Sequence, residues 1–285
     1  MSPRQRRLAQ VALALLVLLA LAWGAWRWWR AGAEFRRELA PATQPLPFHR
    51  AVDCAALPRE RRMVLLVLGQ SNSANHAETR AAGGPGIYSW HDGLCYEARD
   101  PLPGASGDGG SLWTRLGPLL RERGAAETVL FVPLGISTTS MAQWDRHPVL
   151  VGRLESTARA LAAARIEVTH VVWYQGEADS FKATPPADYR RDFGRVLARL
   201  RALGIAAPAY VALATLCQKR SNPAVREVQR ALPAELPDVR PGPDMDALFG
   251  PANRYNGCHF GTTSAPLAAE AWRRALMNEL PTSGR

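Results

Sequence analysis

The sequence predicts an α/β domain built on a doubly wound parallel sheet and preceded by one transmembrane helix. Three observations support this prediction: a long apolar run near the N-terminus, four short apolar segments at wide intervals, and segments of helical periodicity between them. The chain has 285 residues, of which 47% are hydrophobic, so it can bury a sizeable core. Its length suits one large domain with short additions.

The first element is the apolar run from Leu8 to Trp26, in which Gln10 is the only strongly polar residue. A helix rises about 1.5 Å per residue, so this run nearly spans the hydrocarbon core of a bilayer. Indole rings prefer the membrane interface, and tryptophans cluster at the far end of the run: Trp23, Trp26, Trp28 and Trp29. We therefore predict a membrane anchor over residues 1–30.

The positive charge of the chain is concentrated around this run. The formal net charge is +10, and residues 1–37 hold seven arginines with Glu34 as their only acid, which leaves +4 for the rest of the chain. Arginines near the ends of a span reach the headgroup layer and anionic lipid. The charge distribution therefore indicates a membrane partner and no nucleic-acid partner.

A cleaved signal peptide is the alternative for this segment, because Ala20-Leu21-Ala22 resembles a cleavage site after a basic N-terminus. We favour the uncleaved anchor, since the apolar run is long and aromatic residues and arginines follow it at once. Both interpretations predict that the domain is exported across the membrane. We expect a single-pass protein with its N-terminus inside and its domain on the extracytoplasmic, periplasmic side.

An oxidising compartment permits disulfides, and the chain has four cysteines whose pairing the sequence leaves open: Cys54, Cys95, Cys217 and Cys258. They form no CxxC pair and have no histidine at zinc-ligand spacing. We therefore predict no metal site and no cofactor. Residues 31–60 are rich in proline and alanine, which predicts a stalk between the anchor and a domain over 61–285.

The domain alternates predicted strands and helices. The strands are short apolar runs that suit burial on both faces, namely Met63–Leu68, Thr128–Val132, Val168–Trp173 and Ala209–Leu216. The helices are the periodic segments Leu112–Arg123, Leu150–Ala164, Ala187–Leu203, Ala224–Leu232 and Pro266–Leu280. In such a sheet, ligands bind beyond the carboxyl ends of the strands, so the residues after each strand are the candidates for chemistry.

Polar blocks follow three consecutive predicted strands. Gly69–Ser73 follows the first strand, Ser137–Ser140 lies after the second, and Gln175–Asp179 follows the third. A serine after Gly-Gln, such as Ser71, more often caps a helix than acts as a nucleophile. His259 precedes the last predicted helix, and a lone histidine there is usually structural, but here it would complete a Ser/His pair.

These blocks, in this order, resemble the SGNH hydrolases, and within them the sialate O-acetylesterase-like and acetyl-xylan esterase-like carbohydrate esterases. The resemblance covers roughly Met63 to Trp272. It is carried by Gly69–Asn72, Ser106–Leu120, Ser137–Thr139 with Trp144, Trp173–Asp179 and Cys258–Phe260. The pairing of Gly-Gln-Ser-Asn with Trp-Tyr-Gln-Gly-Glu-Ala-Asp at this spacing is more specific than either motif alone.

The resemblance implies a flavodoxin-like three-layer α/β/α fold and a serine esterase. Ser71 would attack an ester carbonyl while His259 removes its proton, because a hydroxyl near neutral pH needs an adjacent base. The donors implied for the tetrahedral oxyanion are the Ser71 N–H, the Ser137 N–H and the Gln175 amide. Gln70 and Thr138 complete the predicted substrate-binding set.

Two positions depart from the family pattern. Ser137-Thr138-Thr139 stands where Gly-Gly-Thr is usual, so side chains crowd the acyl site. Asn256 stands where an Asp three residues before the histidine is usual, and a neutral amide can orient the imidazole but cannot stabilise imidazolium as a carboxylate does. Glu177 is our preferred surrogate for the missing acid, with Asp179 and Asp246 as further candidates. A hydrogen-bonding brace under the strand ends is the alternative role for Glu177.

The expected activity is removal of O-acetyl groups from a carbohydrate or cell-envelope polysaccharide, with an acylated carbohydrate as partner. A catalytically weak carbohydrate-binding protein on the same fold and an O-acyltransferase are the alternatives. Asp244 and Asp246 resemble a metal pair but lie in a Pro- and Gly-rich segment, where acids usually form turns. His76 and His91 follow the serine block; we interpret both as surface residues, with a position lining the rim of the sheet as the alternative.

Overall fold

The computed structural model describes residues 2–39, 48–249 and 253–278. The chain divides into two compact units, Met1–Glu38 and Leu39–Arg285. The first unit is helix α1, Pro3–Leu39. It is the one described helix that is long and apolar enough to cross a membrane, and a secretion signal shares those properties. Cation–π pairs at helical spacing place Arg27 4.8 Å from the Trp23 ring and Arg30 5.1 Å from the Trp26 ring.

The segment predicted as a stalk differs from that prediction at both ends. Helix α1 continues to Leu39, well beyond the predicted limit at residue 30. Residues 40–47 lie outside the described residues. Strand β1, Ala51–Val52, pairs with a strand of the main sheet, and Cys54 forms a disulfide with Cys95. The prediction of a spacer up to residue 60 is therefore wrong, because backbone pairing and a covalent link join this segment to the second unit.

The second unit contains one eight-stranded sheet in the order β1-β4-β3-β5-β2-β6-β7-β8. After β1, the strands are β2 Arg62–Gly69, β3 Ile87–His91, β4 Leu94–Glu97, β5 Thr128–Pro133, β6 His170–Tyr174, β7 Ala209–Leu213 and β8 Val239–Asp244. Strands β3, β5, β2, β6, β7 and β8 are parallel, whereas β4 and β1 add antiparallel pairs at one edge. The sheet is therefore mixed, with the predicted parallel portion at its centre.

The helices of the second unit form layers on the two faces of this sheet. They are α2 Trp113–Glu122, α3 Met141–Arg146, α4 Pro148–Ala163, α5 Glu177–Lys182, α6 Pro186–Ala202, α7 Pro223–Glu235, α8 Met245–Phe249 and α9 Ser264–Leu276. Helix α2 packs on α9, while α6 packs on α3 and α7. This is the three-layer α/β/α arrangement that the resemblance implies. The five predicted helices are confirmed with small shifts at their ends, although residues 279 and 280 of the last one lie outside the described residues.

Strand alternation divides the core between the two layers. Leu65 and Val67 of β2 belong to the cluster that includes Trp113 of α2 and Trp272 of α9. On the other face, the Trp173 ring lies 5.8 Å from Trp144 and 5.6 Å from Phe193, measured between centroids. Successive strand residues point to opposite faces, so central strands with helices on both sides are apolar throughout.

Candidate active site

The serine block leaves the sheet at its centre, because β2 lies between β5 and β6. Gly69 at the end of β2 has φ of +134°, and a Cβ there would meet the Tyr174 carbonyl oxygen at 1.9 Å. Only glycine fits that approach. The Gln70 N–H then donates to the same Tyr174 oxygen at 3.1 Å. The end of β2 is thus fixed against the end of β6, and the next residue is Ser71.

Ser71 begins a single 3₁₀ turn, Ser71–Ser73, and is 3% exposed. Ser71 caps no α-helix, since this turn ends at Ser73 and the next α-helix, α2, begins at Trp113. The turn is held instead by side-chain bonds. Ser73 Oγ donates to Gln70 O at 2.7 Å, and Trp113 Nε1 donates to Ser73 O at 2.8 Å.

His259 lies in the loop before α9, next to Asn256 as the spacing predicts. Asn256 Oδ1 accepts the backbone N–H groups of Cys258 at 3.1 Å and His259 at 2.9 Å. Asn256 Nδ2 lies 2.8 Å from His259 Nδ1. The amide therefore orders the loop backbone and holds the imidazole at the same time.

The serine and histidine loops meet at several points. Asn72 Nδ2 donates to Cys258 O at 3.2 Å, and the Glu78 N–H donates to Phe260 O at 3.0 Å. Between them, the rings of His76 and His259 stack with centroids 5.2 Å apart. The immediate neighbours of Ser71 and His259 are therefore in contact, which is the juxtaposition that a Ser/His pair requires.

A disulfide fixes the histidine loop from the other side. Cys217, in the segment after β7, is bonded to Cys258. The neighbouring Gln218 N–H donates to Gly257 O at 2.7 Å, and Arg254 Nη1 donates to Cys258 O at 2.6 Å. The residues directly before His259 are thus held by a covalent bond and by hydrogen bonds.

The Ser137 N–H, predicted as an oxyanion donor, bonds to another serine in this structure. The Ser137 N–H donates to Ser106 Oγ at 2.8 Å, and Ser106 Oγ also lies 3.3 Å from His76 Nε2. The oxyanion role of Ser137 stays a prediction, and it would require this N–H to exchange its present acceptor for the ligand. Thr138 is exposed and has φ of +62°, the left-handed conformation that a glycine at this position would adopt without strain.

Gln175 is fully buried, and its amide faces inward. Its Nε2 donates to Asp179 Oδ2, to Thr139 O at 3.1 Å and to Gln70 Oε1 at 3.4 Å. The oxyanion role of Gln175 therefore stays a prediction, and its amide bonds to protein acceptors in this structure. Gln70 Oε1 additionally accepts the Ala178 N–H at 2.9 Å, so the side-chain oxygen of Gln70 is hydrogen-bonded to the segment after β6.

Glu177 lies beside Asn72 and not at the imidazole. Its Oε1 accepts from Asn72 Nδ2 at 2.8 Å, and its Oε2 is buried with no hydrogen-bond partner among the described residues. Burial raises the pKa of Glu177 to about 7, although the Asn72 hydrogen bond opposes that shift. The predicted role of Glu177 as the acid partner of His259 is contradicted, and its contacts fit the alternative role as a brace under the strand ends.

The other acids proposed as partners of His259 form hydrogen bonds to different groups. Asp179 accepts from the Met141 N–H at 2.8 Å. Asp246 Oδ2 accepts both the N–H and the hydroxyl of Thr215 at 2.8 Å. Asp244 pairs with Arg226. Asp244 and Asp246 therefore bond to protein groups, and the described residues contain no cluster of three or more His, Cys, Asp or Glu suited to a metal ion.

Most of the second unit matches a known protein family. Residues 61–266 match the family described as carbohydrate esterase, sialic acid-specific acetylesterase. The chain belongs to this family. It is therefore a carboxylic ester hydrolase, and the predicted resemblance is confirmed. No curated protein matches this carbohydrate esterase significantly.

Solved structures confirm the fold of this carbohydrate esterase. A protein from Arabidopsis thaliana superposes with a TM-score of 0.62 at 18% identity, over 78% of this chain and 99% of that one. NanS superposes with a TM-score of 0.54 at 14% identity, over 76% of this chain and 97% of its own. At these identities the likeness establishes a shared fold and nothing more specific.

Three residues at the candidate site carry no separate signal in the sequence. Asn72 and Ser106 lie within stretches that carry the family resemblance, and the sequence favours a surface position for His76. His76 is half-buried against His259. Its position five residues after Ser71, on the same loop, was the available signal, but the sequence contains no indication that the two imidazoles stack.

Proposed function

We propose that this carbohydrate esterase removes O-acetyl groups from a carbohydrate, through an acyl-enzyme on Ser71 with His259 as the base. The observation that carries the proposal is the hydrogen bond from Asn72 to Cys258 O, 3.2 Å long. It joins the residue after Ser71 to the residue before His259. The stacked rings of His76 and His259 support the same placement.

In the first step, Ser71 Oγ forms a bond to the acetyl carbonyl carbon while its proton passes to His259. The tetrahedral intermediate then expels the sugar alkoxide, which takes that proton. In the second step, water attacks the acetyl-enzyme, His259 takes one proton from the water, and acetate leaves as Ser71 regains its hydrogen. Both steps need His259 Nε2 within hydrogen-bond reach of the oxygen that loses its proton.

The oxyanion requires donors, and we assign these to the Ser71 N–H and the Gln70 amide nitrogen. Ser71 is the first residue of its 3₁₀ turn, so its N–H is not needed within that turn. The Gln70 oxygen is held by Ala178 and Gln175, which leaves its NH₂ group as the part of the side chain able to donate to a ligand. Removing one such donor typically costs about 10²–10³ in rate. Thr138, which is exposed, remains a proposed substrate contact.

The direct test uses the short ester p-nitrophenyl acetate and an O-acetylated sugar. We expect Ser71→Ala to abolish release of p-nitrophenol and acetate while thermal unfolding is unchanged. Ser156→Ala is the matched control, since Ser156 is an exposed serine whose Oγ donates to Arg153 O on α4. Hydrolysis by Ser71→Ala at the wild-type rate would exclude the acyl-enzyme. Sugar binding without turnover in the wild type would favour the carbohydrate-binding alternative.

We further propose that α1 anchors the chain in a membrane with the esterase unit on the extracytoplasmic side. The supporting observations are the length and apolar composition of α1 and its Trp and Arg residues at one end. The full-length chain should stay with membranes after an alkaline wash, while a chain lacking residues 1–39 should not. A mature N-terminus directly after Ala22 would show that the segment is a cleaved signal.

A further inference from the structure

The hydrogen bonds of Asn256 determine which nitrogen of His259 carries the proton. Asn256 Oδ1 accepts two backbone N–H groups, from Cys258 at 3.1 Å and from His259 at 2.9 Å. These bonds fix the orientation of the amide, so its NH₂ group is the part that lies 2.8 Å from His259 Nδ1. An amide nitrogen only donates, so Nδ1 must accept. A neutral imidazole has one N–H, which therefore resides on Nε2.

This tautomer is the opposite of the one that a base needs. In a Ser/His pair, an acceptor holds Nδ1–H, and Nε2 offers its lone pair to the serine hydroxyl. We propose that Asn256 holds His259 in the tautomer that cannot take the Ser71 proton, so that the esterase turns over slowly through a minor tautomer. The inference rests on the proposed function of Ser71 and His259 and makes Asn256 a positioning residue that limits the rate.

The productive tautomer conflicts with the contacts of Asn256. To accept from Nδ1–H, the amide would have to rotate by half a turn. Its NH₂ group would then face the N–H groups of Cys258 and His259, and both hydrogen bonds would be lost. The imidazolium formed after proton transfer also carries a hydrogen on Nδ1, directed at the same amide NH₂. Asn256 therefore opposes both the reactive imidazole and the cation that it becomes.

An aspartate at the same position would remove the conflict. One carboxylate oxygen can keep both backbone N–H groups, and the other can accept from Nδ1–H at the distance that Asn256 Nδ2 now occupies. Asn256 is exposed, so the added charge does not have to be buried. The substitution Asn256→Asp thus reverses the tautomer with the backbone contacts unchanged.

The test compares Asn256→Asp with wild type in the full-length protein, using p-nitrophenyl acetate. We expect kcat/KM to rise by about 10²-fold or more, within the range of general-base catalysis. Asn253→Asp is the matched control, because it adds the same charge to the same loop three residues away, and it should leave the rate unchanged. Adding Ser71→Ala to Asn256→Asp should abolish the gain.

Nitrogen-15 NMR of the His259 ring provides a measurement that does not depend on activity. The wild type should show an unprotonated Nδ1 and a protonated Nε2, and Asn256→Asp should reverse them. A protonated Nδ1 in neutral wild-type His259 overturns the inference, as does an Asn256→Asp rate no higher than that of Asn253→Asp. If the nitrogen signals behave as expected but no variant shows Ser71-dependent turnover, the proposed function is wrong and the tautomer assignment is supported.

Discussion

Asn72 donates its side-chain amide to Glu177 Oε1 at 2.8 Å, between two residues that are 4% and 1% exposed. The same nitrogen donates to Cys258 O at 3.2 Å. One buried amide therefore connects the loop after β2, the loop after β6 and the loop that holds His259. Because each of these loops comes from a different part of the sequence, Asn72 is the side chain on which their relative positions depend.

Replacing Asn72 should affect stability and activity together. Leaving a buried acceptor without its donor costs about 1–3 kcal/mol, so Asn72→Ala should lower the free energy of unfolding by roughly 2 kcal/mol. It should also lower kcat/KM, because the histidine loop loses a contact. A double-mutant cycle with Glu177→Ala, measured by urea unfolding, isolates the pair. Strictly additive losses would contradict a direct interaction between the two side chains.

The pH dependence of stability should contain a contribution from Glu177. Its pKa is raised from 4.5 to about 7 by burial, so the folded state holds a proton that the unfolded chain releases. The stabilising contribution is present below pH 4.5 and is lost as the pH rises through about 7. At 1.36 kcal/mol per pKa unit, the loss amounts to roughly 3 kcal/mol.

The neutral variant Glu177→Gln should not show this loss. Over the range from about pH 4.5 to about pH 7, its free energy of unfolding should rise relative to wild type. Chemical denaturation at a series of pH values measures the difference, with the exposed Glu167→Gln as control. Parallel curves for wild type and Glu177→Gln would show that Glu177 ionises normally.

The two disulfides lie at different positions but close loops of the same length. Each closes a sequence separation of 41 residues, for which the chain-entropy estimate is about 4 kcal/mol. Paired Cys→Ala changes should therefore destabilise to a similar extent at either site. Only loss of Cys217–Cys258 should also lower kcat/KM at a temperature where both variants are folded, because that bond restrains the His259 loop. Equal kcat/KM values for the two variants would contradict this role.

Thr138 and its neighbour should respond in opposite directions to glycine. The left-handed conformation of Thr138 costs an L-residue about 1–2 kcal/mol, so Thr138→Gly should stabilise the fold by roughly 1 kcal/mol. Thr139 is buried, and its Oγ1 donates to Ile136 O at 2.7 Å and accepts from Trp144 Nε1 at 3.0 Å. Thr139→Gly should therefore destabilise. Thermal unfolding of both variants tests the pair, and a lower melting temperature for Thr138→Gly would contradict the account.

The central part of the fold could be predicted because burial on both faces leaves a simple signature. Residues 63–68 and 128–132 are apolar runs in the sequence, and both are strands at the centre of the sheet. Strand β8 has no such signature, since it contains the segment Pro241-Gly242-Pro243, whose residue types are typical of a turn. Proline is tolerated there because β8 is an edge strand, and edge position is a tertiary property.

The candidate site was predictable to the extent that it depends on short motifs. Ser71, His259 and Asn256 follow from local patterns, and Asn256 does contact His259. The hydrogen bonds that Ser137 and Gln175 form could not be predicted, because a motif does not specify which acceptor a donor finds. Ser106 takes the Ser137 N–H from 31 positions away. The hydrogen bond between Glu177 and Asn72 could not be predicted, because no periodicity in the sequence indicates it.

The most direct test of the account is the chemical state of Ser71 during turnover. The full-length protein would be mixed with p-nitrophenyl acetate, quenched in acid within the first turnovers, and digested for peptide mass spectrometry. An acyl-enzyme on Ser71 predicts one added acetyl group on the peptide that contains Ser71, located on its hydroxyl, and none in Ser71→Ala. Turnover with acetylation of a different residue, or unimpaired turnover by Ser71→Ala, would contradict it.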